Sequence, residues 1–218
     1  MHNQVATTEH LNRITEFRQA LYANAFIARR DALFELLDAL VSEGLVSSFP
    51  RLSLYPCYRR QWPSLYAAVE DGSLDSAWLH HYLAQQVPAS GIAVFALDSA
   101  PWARPRAGTL ADRQYVYQAS QAVNGGSVAV GYCYCQLEWV PQAHSSWSLP
   151  IDVRRLKSGQ TAQEMGAEQV RALAQARRHC ESLDIVAADG KYGNSGFLRS
   201  VKGERFGVVA RLRHERVL

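Results

Sequence analysis

The chain has 218 residues and 48% hydrophobic content, enough to bury a full core in one domain with a small helical extension. No apolar run approaches the ~20 residues of a membrane span, and no basic segment followed by an apolar stretch opens the chain, so a membrane partner is excluded and a cytoplasmic location is expected. The net charge is only +3, yet residues 1–150 carry 10 Lys+Arg against 12 Asp+Glu while residues 151–218 carry 13 against 8. A basic C-terminal third suits a polyanionic partner.

Leu11, Ile14, Phe17 and Leu21 recur at helical spacing, and so do Leu33, Leu37 and Leu40 with Phe34 and Val41, until Gly44 ends the run. Two amphipathic helices are expected to open the chain. A connector rich in Pro and aromatics follows from Ser48 to Pro63, then two short helices over Ser64 to Glu70 and Leu74 to Val87, with Pro88 as a stop. Residues 1–88 thus read as a helical region, a candidate DNA-binding unit.

From Gly91 the period changes to that of strands, and residues 91–218 read as a separate core. Gly91 to Asp98 is an apolar strand, and Ser99 to Arg113 a polar stretch. Tyr115 to Val123 and Ser127 to Val140 flank Asn124-Gly125-Gly126, a hairpin signal. Trp147 to Leu156 is a further strand segment, and Thr161 to Cys180 a crossover helix. Asp184 to Asp189 is another apolar strand, Asn194 to Val201 a short helix and Phe206 to Leu212 the last strand. The order predicts an α/β fold: a mixed sheet of three antiparallel-type strands, helix, strand, helix, strand.

Asp98 and Asp189 each close an apolar strand. Carboxylates at neighbouring strand tips can share Mg²⁺ or Mn²⁺, hard cations that take oxygen ligands, keep several waters and act in pairs on phosphodiesters. The competing structural role is a cap on the turn that follows each aspartate. Cys57, Cys133, Cys135 and Cys180 lack zinc spacing and read as reduced thiols. The histidines, His80 and His81 among them, show no metal pattern. Gly190, Gly193 and Gly196 match no phosphate-loop motif, and Ser99 lacks a nucleophile elbow.

Ala96-Leu-Asp-Ser-Ala-Pro-Trp-Ala-Arg-Pro105, Gly131-Tyr-Cys-Tyr-Cys-Gln136, Ser146-Trp-Ser-Leu-Pro-Ile-Asp-Val-Arg154, Ala187-Ala-Asp-Gly-Lys-Tyr-Gly193 and Val209-Ala-Arg-Leu-Arg213 occur in order. Together they resemble the DDE-type transposases of bacterial insertion sequences. Trp62 to Gly72 is similar to the helical region that precedes the catalytic core in that group. The resemblance implies a ribonuclease H-like core with Asp98 and Asp189 as the first two metal-binding acids. It also implies Mg²⁺ or Mn²⁺ as cofactor, transposon ends and target DNA as partners, and a homo-oligomer on DNA.

In that family a third acid, a glutamate on a helix, follows the last core strand. Only Glu215 follows Leu212 here, so the expectation is an incomplete copy that stops before its third ligand. Alternatives are a DNA-binding remnant without catalysis and a stand-alone nuclease completed by Glu204 or Glu215. Trp102, Arg104 and Arg106, stiffened by Pro101 and Pro105, are first candidates for DNA contact, since guanidinium groups grip phosphates and an indole stacks on bases. Arg59 and Arg60, with Tyr58 and Trp62, are further candidates in the connector. Lys191 beside Asp189, and Arg211 and Arg213 near the C-terminus, complete the set, with Arg199, Lys202, Arg205 and Arg216 adding positive charge.

Overall fold

In the computed structural model, which describes residues 2–42, 48–117, 128–141 and 147–212, the first helical periodicities become α1 (His2–Ala20) and α2 (Arg30–Ser42). The chain divides into two units, Met1–His80 and His81–Leu218. In the first unit a π-helical turn, Leu21–Ala25, and β1 (Phe26–Ala28) join the two helices. A 3₁₀ turn at Pro50–Leu54, α3 (Pro63–Glu70), β2 (Ser73–Leu74) and α4 (Ser76–Gln85) follow, α4 running across the division. Pro63 opens α3 at a position where its missing N–H costs nothing.

Leu36, Ala39, Leu52, Tyr58 and Leu65 form the small core of this unit. The apolar face expected on α1 is not buried: Leu11 and Ile14 are exposed. Instead α1 is held at its C-terminal end, where Arg18 Nη2 donates to Asp38 Oδ2 at 2.9 Å and the guanidinium lies 4.8 Å from the Phe34 ring centroid. Gly72 is required by close approach, since a Cβ there would sit 2.0 Å from the Ala68 carbonyl oxygen.

The second unit is built on six strands: β3 (Ile92–Ala103), β4 (Gln114–Tyr117), β5 (Val128–Val140), β6 (Leu149–Arg155), β7 (Leu183–Ala188) and β8 (Gly207–Ala210). Their order is β4-β5-β3-β7-β8, with β6 also on β5. β3, β4, β5 and β6 pair antiparallel through β5, whereas β7 runs parallel to β3 and β8 parallel to β7. The parallel steps are made by α5 (Ala162–Ala176) before β7 and α6 (Ser195–Ser200) before β8. This is a mixed sheet with helices, a ribonuclease H-like core. The Asn124-Gly125-Gly126 turn lies outside the described residues.

Strand alternation assigns the faces. Phe95 and Leu97 on β3, Cys135 and Leu137 on β5 and Val186 on β7 point to the buried side, where Met165, Val170 and Leu173 of α5 meet them with Tyr192 and Phe197. Thr161 and Glu164 form a capping box at the start of α5. Gly166 brings that helix close to the sheet: a Cβ there would lie 2.7 Å from Tyr192 Cε1. The opposite face carries Ala96, Asp98 and Trp102, together with the exposed Ile92 and Val209.

The end of β3 differs from expectation. β3 does not end at Asp98 but runs on through Pro101 and Trp102 to Ala103, paired with β5 throughout. Proline inside a strand normally removes a ladder bond. Here Arg104 N–H donates to the Val130 carbonyl, and alternation turns the Pro101 nitrogen towards the other edge, where the ladder to β7 has already stopped at Leu97 and Ala188.

Candidate active site

Parallel pairing of β3 with β7 puts Leu97 level with Ala188. In each segment the next residue is an aspartate, so Asp98 and Asp189 each lie one position past the last paired residues of strands about 4.8 Å apart. Both are exposed. The same logic reaches β8, where Ala188 is level with Ala210 and Arg211 N–H donates to the Ala188 carbonyl at 3.2 Å. The residues just past the parallel-paired segments of three adjacent strands are thus acid, acid and base. Gly193 permits this, since a Cβ there would lie 2.4 Å from the Arg211 carbonyl oxygen.

Each aspartate makes the local turn bond that its position favours. Asp98 Oδ1 accepts from Ser99 N–H at 2.6 Å, and Asp189 Oδ1 accepts from Lys191 N–H at 2.9 Å. Neither Oδ2 has a hydrogen-bond partner among the described residues. The capping role therefore engages one oxygen of each carboxylate and leaves the other directed to solvent or a ligand. Gln136 is the cross-strand partner of Asp98 on the same face. It was missed in the sequence, although alternation along β5 places it there.

Lys191 extends its ammonium to Ser99 Oγ at 2.6 Å. Beside this bond is a cavity of about 690 Å³ lined by Ser99, Cys133, Gln163, Asp189 and Lys191 together with residues of β4. Burial pushes the Cys133 thiol up, and burial takes Cys135 to about 11, so both are poor nucleophiles. Burial likewise raises the Tyr192 phenol, whose hydroxyl donates to Cys135 Sγ at 3.8 Å.

The other candidates separate into groups. Trp102 is exposed on the face of Asp98, and Arg104 stacks on it with its guanidinium carbon 3.6 Å from the ring centroid. Tyr134 lies at 6.0 Å from Trp102, and Arg155 stacks 4.7 Å from Tyr132. A run of aromatic and cationic groups therefore leads away from Asp98 along one face. Arg106 is exposed in the loop beyond it.

Within the N-terminal unit, Arg59 and Arg60 have an acid partner. Arg59 Nη2 and Arg60 Nη1 lie 2.7 and 2.6 Å from Oε1 of the buried Glu35, and Arg60 also reaches Asp31 at 3.5 Å. Burial alone would raise the Glu35 carboxyl, but hydrogen bonds from Arg60 and Arg59 outweigh it and hold the group below its ordinary range. Both arginines thus share one buried carboxylate, while the Arg59 side chain stays largely exposed.

Glu204, Lys202 and Arg205 precede β8, at the end of the sheet opposite to Asp189. Glu204 therefore does not join the aspartate pair. Arg213, Glu215 and Arg216 lie outside the described residues. Among the described residues, no group of three His, Cys, Asp or Glu side chains forms a metal-holding cluster, and no helix is long and apolar enough to cross a membrane.

Residues 19–218 match the DDE superfamily endonuclease family. No curated protein matches the chain. Among solved structures, a piggyBac transposase synaptic complex with hairpin DNA is similar at 12% identity and a TM-score of 0.42, over 87% of this chain and 43% of that one. The chain thus spans less than half the length of that structure's chain.

Proposed function

Because this chain belongs to the DDE superfamily endonucleases, we propose that it carries the catalytic acids of a DNA transposase, with Asp98 and Asp189 holding Mg²⁺ or Mn²⁺. The observation that supports this reading is the parallel pairing of β3 with β7 up to the residue before each aspartate, together with one uncommitted oxygen on each carboxylate. Such a pair fits a divalent cation that takes oxygen donors and completes its shell with water. When bound, the cation would lower the pKa of an attacking water or hydroxyl and offset charge on the leaving oxygen.

The protein's own part is positioning. Asp98 and Asp189 fix the ligand directions, and Arg211, level with Asp189, offers a guanidinium to the flanking phosphate. Trp102 with Arg104 forms a surface on which a base near the scissile bond stacks, and Arg106 adds a backbone contact. The substrate is DNA, nicked at element ends and joined to a target by the freed 3′ hydroxyl, within the cytoplasm. Lys191 is assigned to a different task below, and Arg59 and Arg60 to the N-terminal unit's own stability.

Nicking of labelled plasmid and linear DNA by the purified chain in Mg²⁺ or Mn²⁺ tests this, beside Asp98→Ala and Asp189→Ala. Cleavage lost in both variants is expected. Binding without cleavage in every version supports the second reading, a DNA-binding remnant, and overturns the enzymatic one.

A further inference from the structure

The backbone ladder between β3 and β7 stops at Leu97 and Ala188, one residue short of the two carboxylates. Backbone pairing therefore does not itself fix Asp189 against Asp98. A side-chain hydrogen bond spans the gap: Lys191 Nζ donates to Ser99 Oγ at 2.6 Å, across 92 positions of sequence. The two residues that make it are also the two whose backbone N–H groups hold the aspartates. Ser99 N–H donates to Asp98 Oδ1 at 2.6 Å, and Lys191 N–H to Asp189 Oδ1 at 2.9 Å. Asp98, Ser99, Lys191 and Asp189 thus form one continuous chain of contacts from carboxylate to carboxylate.

We infer that Ser99 and Lys191 are positioning residues whose side-chain bond sets the spacing and orientation of the Asp98 and Asp189 carboxylates for a shared divalent cation. This rests on the metal-binding reading above, and it replaces a DNA contact as the role of Lys191. The surroundings support the assignment. Ser99 is 8% exposed, so its hydroxyl is held in place by the packed sheet. The carbonyl of Lys191 is fixed in turn, accepting from Gln163 Nε2 at 3.0 Å and from Asn194 Nδ2 at 2.9 Å. Main chain and side chain of Lys191 are therefore both anchored, one to α5 and α6 and the other to β3. An ammonium committed in this way is a brace between the segment after β7 and strand β3, not a mobile group searching for phosphate.

Outer partners that orient metal-binding side chains are worth about 10–100-fold in metal affinity. Mn²⁺ binding to the full chain without DNA, followed by electron paramagnetic resonance, reads that term directly. Ser99→Ala and Lys191→Met are each expected to weaken Mn²⁺ by about tenfold or more, with the double variant no worse than the weaker single one. Ser99→Thr and Lys191→Arg, which keep the hydroxyl and a donor, are expected to stay within about threefold of wild type. The slope of DNA affinity against salt, measured by anisotropy, should not change in Ser99→Ala or Lys191→Met. Unchanged Mn²⁺ affinity in both truncations overturns the inference, as does a salt slope lowered by about one in Lys191→Met alone, the mark of a phosphate contact. If Asp98→Ala and Asp189→Ala bind Mn²⁺ as tightly as wild type, the metal-binding reading fails and takes the inference with it, a result distinct from the other two.

Discussion

Replacing Arg177 by Met keeps the length and apolar stem of the side chain and removes the guanidinium. Arg177 is 1% exposed at its side chain and pairs with Asp184 at 2.8 Å. Its five N–H hydrogens serve six acceptor contacts, one shared at Nη2: two to the Asp184 carboxylate, one to Ser182 Oγ, and one each to the carbonyls of Ala84, Val87 and Pro88. It thereby ties the end of α4, the end of α5 and the start of β7 into one knot. Breaking a buried ion pair by removing one partner costs about 3–5 kcal/mol, since the remaining charge is stranded. Orphaned carbonyls add to this, though water entering the gap recovers part of their ~1–3 kcal/mol.

A loss of about 4 kcal/mol or more is expected, against a total stability of about 5–15 kcal/mol for a domain. Urea unfolding followed by circular dichroism measures it, with a midpoint shift of roughly 1.5 M or more for a slope of about 1–3 kcal/mol/M. The companion variant is Arg177→Met with Asp184→Leu, in which no charge is left behind. It should be more stable than Arg177→Met alone. A loss below about 1 kcal/mol in the single variant, or strictly additive losses in the pair, would refute the reasoning.

Gly166→Ala gains about 1 kcal/mol of helix propensity, yet its Cβ would stand 2.7 Å from Tyr192 Cε1 and 3.1 Å from Leu97 Cδ2. Overpacking of about 1–3 kcal/mol should prevail and lower the melting temperature, whereas a raised one contradicts this. Glu35 is held below its ordinary pKa of 4.5, so its contribution is fully present above that value and lost as pH falls through the lower folded value. The stability gap between wild type and Glu35→Gln should therefore close on acidification; a gap constant down to pH 3 would contradict the assignment.

Local signals read correctly where the physics is local. The apolar run within Asp184 to Asp189 identified β7, and the shift from helical to strand period at Gly91 marked the start of β3. Pro101 misled because a proline's effect depends on which edge its nitrogen faces, and that is set by pairing with β5. The aspartates were legible as acids that follow apolar strand segments, but the parallel pairing that stops one residue before each of them joins strands about 90 positions apart and leaves no local signal. Arg59 and Arg60 read as free charge because Glu35, some 24 positions earlier, looks in sequence like one more polar residue of α2. The bonds of Arg177 and Lys191 cross about 90 positions, beyond any periodic signal.

The extension of β3 past Asp98 leaves one side of that strand without a neighbour among the described residues. A bare strand edge is a template for another chain to add to, and many proteins cover it with a helix or shorten it. Pro101 offers a different protection, because an intruding strand would find no N–H at the centre of the segment and a pyrrolidine ring in its path. Pro101 therefore guards this exposed edge against aggregation through strand addition.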